Sequence, residues 1–291
     1  MTFTNRLDLP QAYVDAVVAN EEEHVKADFS VTELLKGDTE IALNMLHGSE
    51  LVCDVSDRFN TLLGSAIHSI LEKFGGQESE IYMVADIDGT LVSGTADRID
   101  DDLITDWKSC ASWKITYNDF DDWRKQLIAY AFLWWGHTRK TILNGRIIAF
   151  IKDWSPTQAE RDKSYPQSPV VPINFKWTYE DMMEVPVKWS EKIDRIHSII
   201  NRMEFPPCSE DDRWHEPDKW ALMKTGRKTA IKLYDSEKEA DDACTENGMH
   251  VEYRPGNDKK CDRYCDVGRC GFCPHYNKTH KKENENETSE S

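Results

Sequence analysis

The chain reads as a mixed α/β protein: a largely antiparallel sheet meander flanked by helices, followed by a cysteine-rich C-terminal region. Three observations predict this. Apolar residues recur at helical spacing before Gly75-Gly76 and again over residues 119–135. Between those stretches the period drops to two over residues 80–87, 91–99 and 103–107, with turn residues at Asp88-Gly89 and at 100–102. Four of the eight cysteines, Cys261, Cys265, Cys270 and Cys273, crowd near the end.

Taken in order, residues 1–28 have Leu9, Tyr13, Val14, Val17 and Val18 at helical spacing. Ser30 with Glu33 three residues on is a capping box that opens a second helix. A third helix begins near Ser56-Asp57. Its Phe59, Leu62, Leu63, Ala66, Ile67, Ile70, Leu71 and Phe74 form an apolar face, and Gly75-Gly76 end it. The three strands follow. A helix over 119–135 turns Phe120, Trp123, Leu127, Ala131 and Trp134 inward, and Gly136 stops it. Residues 145–153 form a strand, 156–172 a polar loop, 174–179 a short strand and 179–203 mostly helix. Pro206-Pro207 marks a boundary. The chain therefore divides into an N-terminal helical segment (1–29), a core (30–205), a cysteine-rich region (206–276) and a low-complexity, disordered tail (277–291). No internal repeat is present.

Composition excludes several classes. The 291 residues include 10 Trp, 10 Tyr and 10 Phe, too many aromatics for a wholly disordered chain. The strongest apolar runs, 129–135 and 147–151, fall far short of the ~20 residues of a spanning helix, and the N-terminus has no apolar stretch of signal-peptide type. The expectation is a cytoplasmic protein with no membrane partner. A net charge of −17 argues against a surface that coats nucleic acid broadly. It leaves room for a local basic groove, and Lys219, Lys224, Arg227, Lys228 and Lys232 form one basic stretch, either a solvated face or a phosphate-contacting strip.

The stretch Gly94-Thr-Ala-Asp97-Arg-Ile-Asp-Asp-Asp-Leu-Ile-Thr-Asp106-Trp107-Lys108 carries the most chemistry. If its turn is Asp101-Asp102, residues 100 and 103 pair and Asp97 falls opposite Asp106 on one face. Lys108, two residues from Asp106, points the same way. Two carboxylates and an amine then converge, a pattern suited to Mg²⁺ or Mn²⁺ and to activating a water. The plainer alternative is a surface hairpin with an Asp–Lys pair. The apolar flanks Leu103, Ile104 and Trp107 weigh against it, because polar groups on a partly buried strand need a reason. His68, in Gly64-Ser-Ala-Ile-His68, is either a core histidine or a metal ligand. Glu72, one turn on, shares the metal face or only covers the helix surface. Gln126 and Tyr130, at i and i+4, either hold the lysine or a phosphate or form an ordinary packed helix.

Together, Gly64-x-x-x-His68, Gly94-x-x-Asp97, Ile104-x-Asp106-Trp107-Lys108 and Gln126-x-x-x-Tyr130 resemble the motifs of the PD-(D/E)XK nuclease superfamily, in its RecB-like exonuclease branch, over roughly residues 30–153. The departure is Asp106, where many members have Glu. The resemblance implies a restriction-endonuclease-like core and metal-dependent exonucleolytic hydrolysis of DNA, single-stranded or with free ends, in recombination, repair or phage DNA metabolism, alongside recombination or replication proteins. It implies that His68, Asp97, Asp106 and the Trp107 carbonyl hold Mg²⁺ or Mn²⁺, that Lys108 serves the attacking water, and that Gln126 and Tyr130 support the site and the DNA backbone. The rival is a non-catalytic DNA-binding or assembly module with a nuclease-like fold and structural zinc.

Thiolates spaced as Cys261-x3-Cys265-x4-Cys270-x2-Cys273 suit an iron–sulfur cluster or Zn²⁺. Some RecB-like exonucleases join one distant and three C-terminal cysteines around a [4Fe–4S] cluster. By that resemblance Cys208 (or Cys53) is the distant ligand, Cys261, Cys265 and Cys273 complete the set, and Cys270 is spare. Cys110 and Cys244 read as structural.

Overall fold

The computed structural model describes residues 1–22 and 27–287. Its contacts divide the chain into two compact units. The first combines Met1–Lys36 with Val52–Asn201. The second combines Gly37–Leu51 with everything from Arg202 onward. This differs from a division at 29, 205 and 276, because Asp38–His47 is a helix whose Leu43 packs with Leu51, Cys265 and Val267 in the core of the second unit.

The first unit contains the expected mixed sheet flanked by helices. Ser79–Ile87, Thr90–Asp100 and Leu103–Cys110 form the antiparallel meander. Leu103–Cys110 then pairs in parallel with Asn144–Ile151, which pairs antiparallel with Val170–Lys176. The short strand Phe29–Ser30 runs parallel to Thr90–Asp100. A parallel pair needs a crossover connection, and the helix Asp121–Thr138 supplies it. Residues Gln126 through Leu133 of this helix are all buried. One side meets the sheet, while Phe132 packs edge-on against Trp189 of the helix Val185–Arg202, whose Trp189, Ile193 and Ile196 form a buried stripe at helical spacing.

Several sequence expectations need correction. The N-terminal segment is not helical throughout, because Thr2–Thr4 pairs as a strand with Val52–Asp54 and, among the described residues, the helix covers Gln11–Glu22. The Phe59–Gly75 helix has no fully buried residue, and its Phe59, Ile70 and Phe74 are exposed, so its apolar stripe lies partly uncovered. Gly136 does not end the long helix, which runs to Thr138, where Arg139 adopts the left-handed cap (φ 62°). A short helix, Ser112–Thr116, precedes it, and another, Pro156–Arg161, sits in the expected loop behind the Ser155 cap. Pro274–Glu287 is a helix where a disordered tail was expected; residues 288–291 lie outside the described residues. The Ser30–Glu33 capping box and the Gly76 stop (φ 70°) are as expected.

The second unit is built on the Asp38–His47 helix and a three-stranded antiparallel sheet, with Lys219–Lys224 between Lys232–Tyr234 and Met249–Arg254. His47 stacks on Phe272 at 4.3 Å, and Lys260 pairs with buried Glu40 at 2.7 Å. In the basic stretch, Lys219 is paired with Asp235 and Lys224 with Glu246, so acidic partners offset much of its charge. No helix among the described residues is long and apolar enough to cross a membrane.

Two glycines make opposite demands on the first unit. A Cβ on buried Gly145 would lie 2.7 Å from the Trp177 ring and 2.9 Å from Leu127, whereas one on Gly136 would meet nothing within 4 Å. Gly145→Ala is expected to lower stability by about 1–3 kcal/mol through overpacking. Gly136→Ala, in a regular helix, is expected to raise it by about 0.5–1 kcal/mol. Thermal or urea denaturation of both variants checks the pair.

Candidate metal centre

The meander register sets the site. Asp100 lies opposite Leu103 and Arg98 opposite Thr105, so the turn is Asp101-Asp102 as counted from the sequence. On the other side Ser79 lies opposite Arg98 and Ile81 opposite Ala96. Both registers, continued by one residue, put Asp97 between Glu80 and Asp106 in one row across three strands. At that row the ladder is interrupted. The Trp107 N–H donates to Asp97 Oδ2 at 2.6 Å, and Glu80 adopts φ 51°. A left-handed conformation costs a residue with a side chain roughly 1–2 kcal/mol.

The Phe59–Gly75 helix contributes His68. Its Nε2 donates to the Trp107 carbonyl at 3.0 Å, and its Nδ1 faces Asp97 Oδ1 at 3.1 Å. Both ring nitrogens thus meet acceptors. Burial pulls the imidazole pKa down, but the bond to and charge of Asp97 outweigh it, and the net shift is upward. A metal taking His68 therefore displaces a proton.

Asp106 is 1% exposed. Burial pushes its carboxyl up to about 6, against the pull of Lys108, whose Nζ lies 2.8 Å from Oδ2. The contact is an ion pair without good hydrogen-bond direction, so this buried oxygen accepts no hydrogen bond. Burial alone would lower the Lys108 pKa, yet the Asp106 charge raises it and keeps the amine an ammonium. Lys108 thus supplies positive charge and donors to the site in this state, not a free base.

Gln126 and Tyr130 are both buried, and Gln126 Nε2 donates to Tyr130 Oη at 2.7 Å. Burial raises the Tyr130 pKa well above the usual phenol value. At 5% and 4% exposure they support the site from within, and the expected contact with a DNA backbone is not offered by these side chains. Tyr130 also explains one motif glycine: a Cβ on Gly94 would fall 2.9 Å from its ring. Gly64 has no such role, since its added Cβ would make an ordinary 3.8 Å contact with Ser109.

Donor atoms of His68, Glu80 and Asp97 all lie within 4.8 Å of one another, the one such group of ligand-type side chains among the described residues. Of the ligands expected from sequence, His68 and Asp97 are in this group. Asp106 is adjacent and engaged with Lys108, and the Trp107 carbonyl is engaged with His68. Glu80 was missed. The two-residue turn Asp88-Gly89 (Ile87 opposite Thr90) already places residue 80 opposite residue 97, so the counting applied to the Asp101-Asp102 hairpin would have found it. The Glu80 side chain makes no hydrogen bond or ion pair among the described residues. Burial and then the Asp97 charge push its carboxyl up to about 7.

In the second unit, Cys208, Cys261, Cys265 and Cys273 influence one another. The Cys273 thiol bears on each of the other three, and Cys261 also senses Cys208. Burial first, then neighbouring acids and thiols, push Cys261 and Cys265 up to about 12, so these thiols are neutral until a cation displaces their protons. Gly37 admits Cys208, because a Cβ there would lie 2.7 Å from its sulfur. Cys265 belongs to the apolar core with Leu43, and Cys270 and Cys273 both pack against that core. Cys53, the alternative distant ligand, belongs to the first unit, where Arg58 contacts its sulfur at 3.2 Å. Cys110 is buried in the sheet, its thiol pushed up to about 11 by burial.

No protein-family model matches the chain, and no curated protein matches it in sequence. Among solved structures, SSO0001 is similar with a TM-score of 0.47 and 15% identity, over 70% of this chain and 91% of that one. A protein named "Putative exonuclease" from Eubacterium rectale is similar with a TM-score of 0.33 and 16% identity, over 48% of this chain and 52% of its own.

The Glu80 environment makes stability depend on pH. A carboxyl whose folded pKa lies above its unfolded value of 4.5 favours folding when protonated, and that contribution is lost as pH rises from about 4.5 to about 7. Metal-free Glu80→Gln is therefore expected to match the wild type near pH 4.5. It should gain an advantage of about 1–2 kcal/mol by pH 7, constant above it. Melting in chelator across this range checks the prediction; an advantage equal at all pH values would contradict it.

Proposed function

We propose that this protein is a Mg²⁺- or Mn²⁺-dependent deoxyribonuclease acting from DNA ends, in recombination, repair or phage DNA metabolism. The observation that carries the reading is the meeting of His68, Asp97, Asp106 and Lys108 around one row of a three-strand meander. Imidazole nitrogen, carboxylate oxygens and a backbone carbonyl are a donor set that fits these ions. His68, Asp97, Asp106 and the Trp107 carbonyl would hold them, the carbonyl through its second lone pair. A bound divalent ion supplies Lewis acidity to a phosphodiester and acidifies a water.

The chain's own groups do the rest. Asp97 is fixed by the Trp107 N–H and His68, so a ligand position on it is set before anything binds. The Lys108 ammonium, held by Asp106, lies where it can orient water and offset phosphate charge. Buried Gln126 and Tyr130 keep the helix closed on Gly94 and the floor dry. In the second unit, Cys208, Cys261, Cys265 and Cys273 would hold a [4Fe–4S] cluster, with Zn²⁺ the alternative occupant; the cluster is preferred by the resemblance to RecB-like exonucleases, which join one remote thiol to three near the C-terminus.

Incubation of purified protein with end-labelled linear DNA tests the reading. Loss of DNA should require Mg²⁺ or Mn²⁺ and fall at least 100-fold in both Asp106→Ala and Lys108→Ala. DNA binding without cleavage under both ions would instead support a non-catalytic module. Brown protein with bound iron after anaerobic purification is expected for the thiol site; colourless protein with stoichiometric zinc would overturn the cluster.

A further inference from the structure

The geometry points to Glu80 as a direct ligand for a divalent cation, shared with His68 and Asp97. Three features converge on it. The three donor atoms come from three separate elements yet lie within 4.8 Å of one another. The Glu80 carboxylate has no hydrogen bond or ion pair among the described residues, and the nearby ammonium of Lys108 is engaged with Asp106. The Glu80 backbone is held left-handed in an otherwise regular strand, at the row where Asp97 sits. Glu80 and Asp97 are adjacent carboxylates whose charges repel, the neighbouring imidazole of His68 is engaged with Asp97, and a dication can use all three groups at once.

Asp106 is not one of the three donor residues, and its Oδ2 is taken by the Lys108 ammonium at 2.8 Å, so the inference concerns the single position of His68, Glu80 and Asp97. The imidazole there tilts the preference toward Mn²⁺ over Mg²⁺. This deepens the proposed metal-dependent reading and rests on it for the ion's purpose, but cation binding is measurable without DNA.

The test is a Mn²⁺ titration of full-length, chelator-stripped protein, followed by electron paramagnetic resonance and by thermal shift. Glu80→Gln removes the charge and keeps the shape; Glu80→Gly accommodates φ 51° without strain. Both variants are expected to bind Mn²⁺ at least about tenfold more weakly at one position and to lose most of the Mn²⁺-induced rise in melting temperature. Glu80→Gly should fold at least as stably as wild type without metal, which separates ligation from a structural role. Wild-type Mn²⁺ affinity and stoichiometry in both variants would overturn the inference and leave the nuclease reading intact if the wild type cuts DNA. Glu80-dependent binding in a protein that leaves DNA uncut would support the inference and refute the nuclease. A wild type that binds no Mn²⁺ would refute both.

Discussion

The site depends on one hydrogen bond, from the Trp107 amide to the Asp97 carboxylate. It replaces a rung of the sheet ladder with a side chain, so a carboxylate stays within the sheet at the row where neighbouring strands present Glu80 and Asp106. A backbone N–H left unmet in a buried strand would be costly. The Asp97 charge raises the His68 pKa against the pull of burial, and burial first, then the Asp97 charge, raises the carboxyls of Glu80 and Asp106.

Concentrating acids in this way conflicts with stability. Three carboxylates share a partly buried row with the Lys108 ammonium and the His68 imidazole, and the burial of Asp106 is close to complete. Such an arrangement persists where the surrounding packing over-determines it. Here that packing is the helix Asp121–Thr138, buried on all sides over Gln126–Leu133, whose Tyr130 and Leu133 press against Gly94, and Trp177 against Gly145. The thiol group of the second unit follows similar logic: Gly37 lets Cys208 in, and burial holds the sulfurs neutral.

Much of this was legible in sequence where a local rule decides it. The meander, its turns, the Ser30 cap and the Asp97–Asp106 relation follow from alternation and from counting across a two-residue turn. Asp106 and Lys108 stood out because their apolar flanks made polar groups there expensive. What escaped depended on tertiary context. The Phe59–Gly75 stripe had the right period, but periodicity does not say whether another layer covers it, and Phe74 is 87% exposed. Gly136 carried a stop signal, yet the helix continues because the backbone there is regular and its packing partners lie earlier along the helix. Glu80 stood opposite Asp97 by simple counting across the Asp88-Gly89 turn and was passed over as the first residue of a strand; only its left-handed backbone has no local signal. The place of Gly37–Leu51 in the second unit was hidden because its contacts are with residues far along the chain, such as Glu40 with Lys260, 220 positions away.

Anomalous diffraction from crystals of the full-length protein soaked in Mn²⁺ would test the central claim most directly. The account predicts density bonded to an Asp97 carboxylate oxygen and flanked by His68 on one side and Asp106 on the other. Ordered Mn²⁺ elsewhere on the molecule, with Asp97 still bonded only to the Trp107 amide and His68, would contradict it.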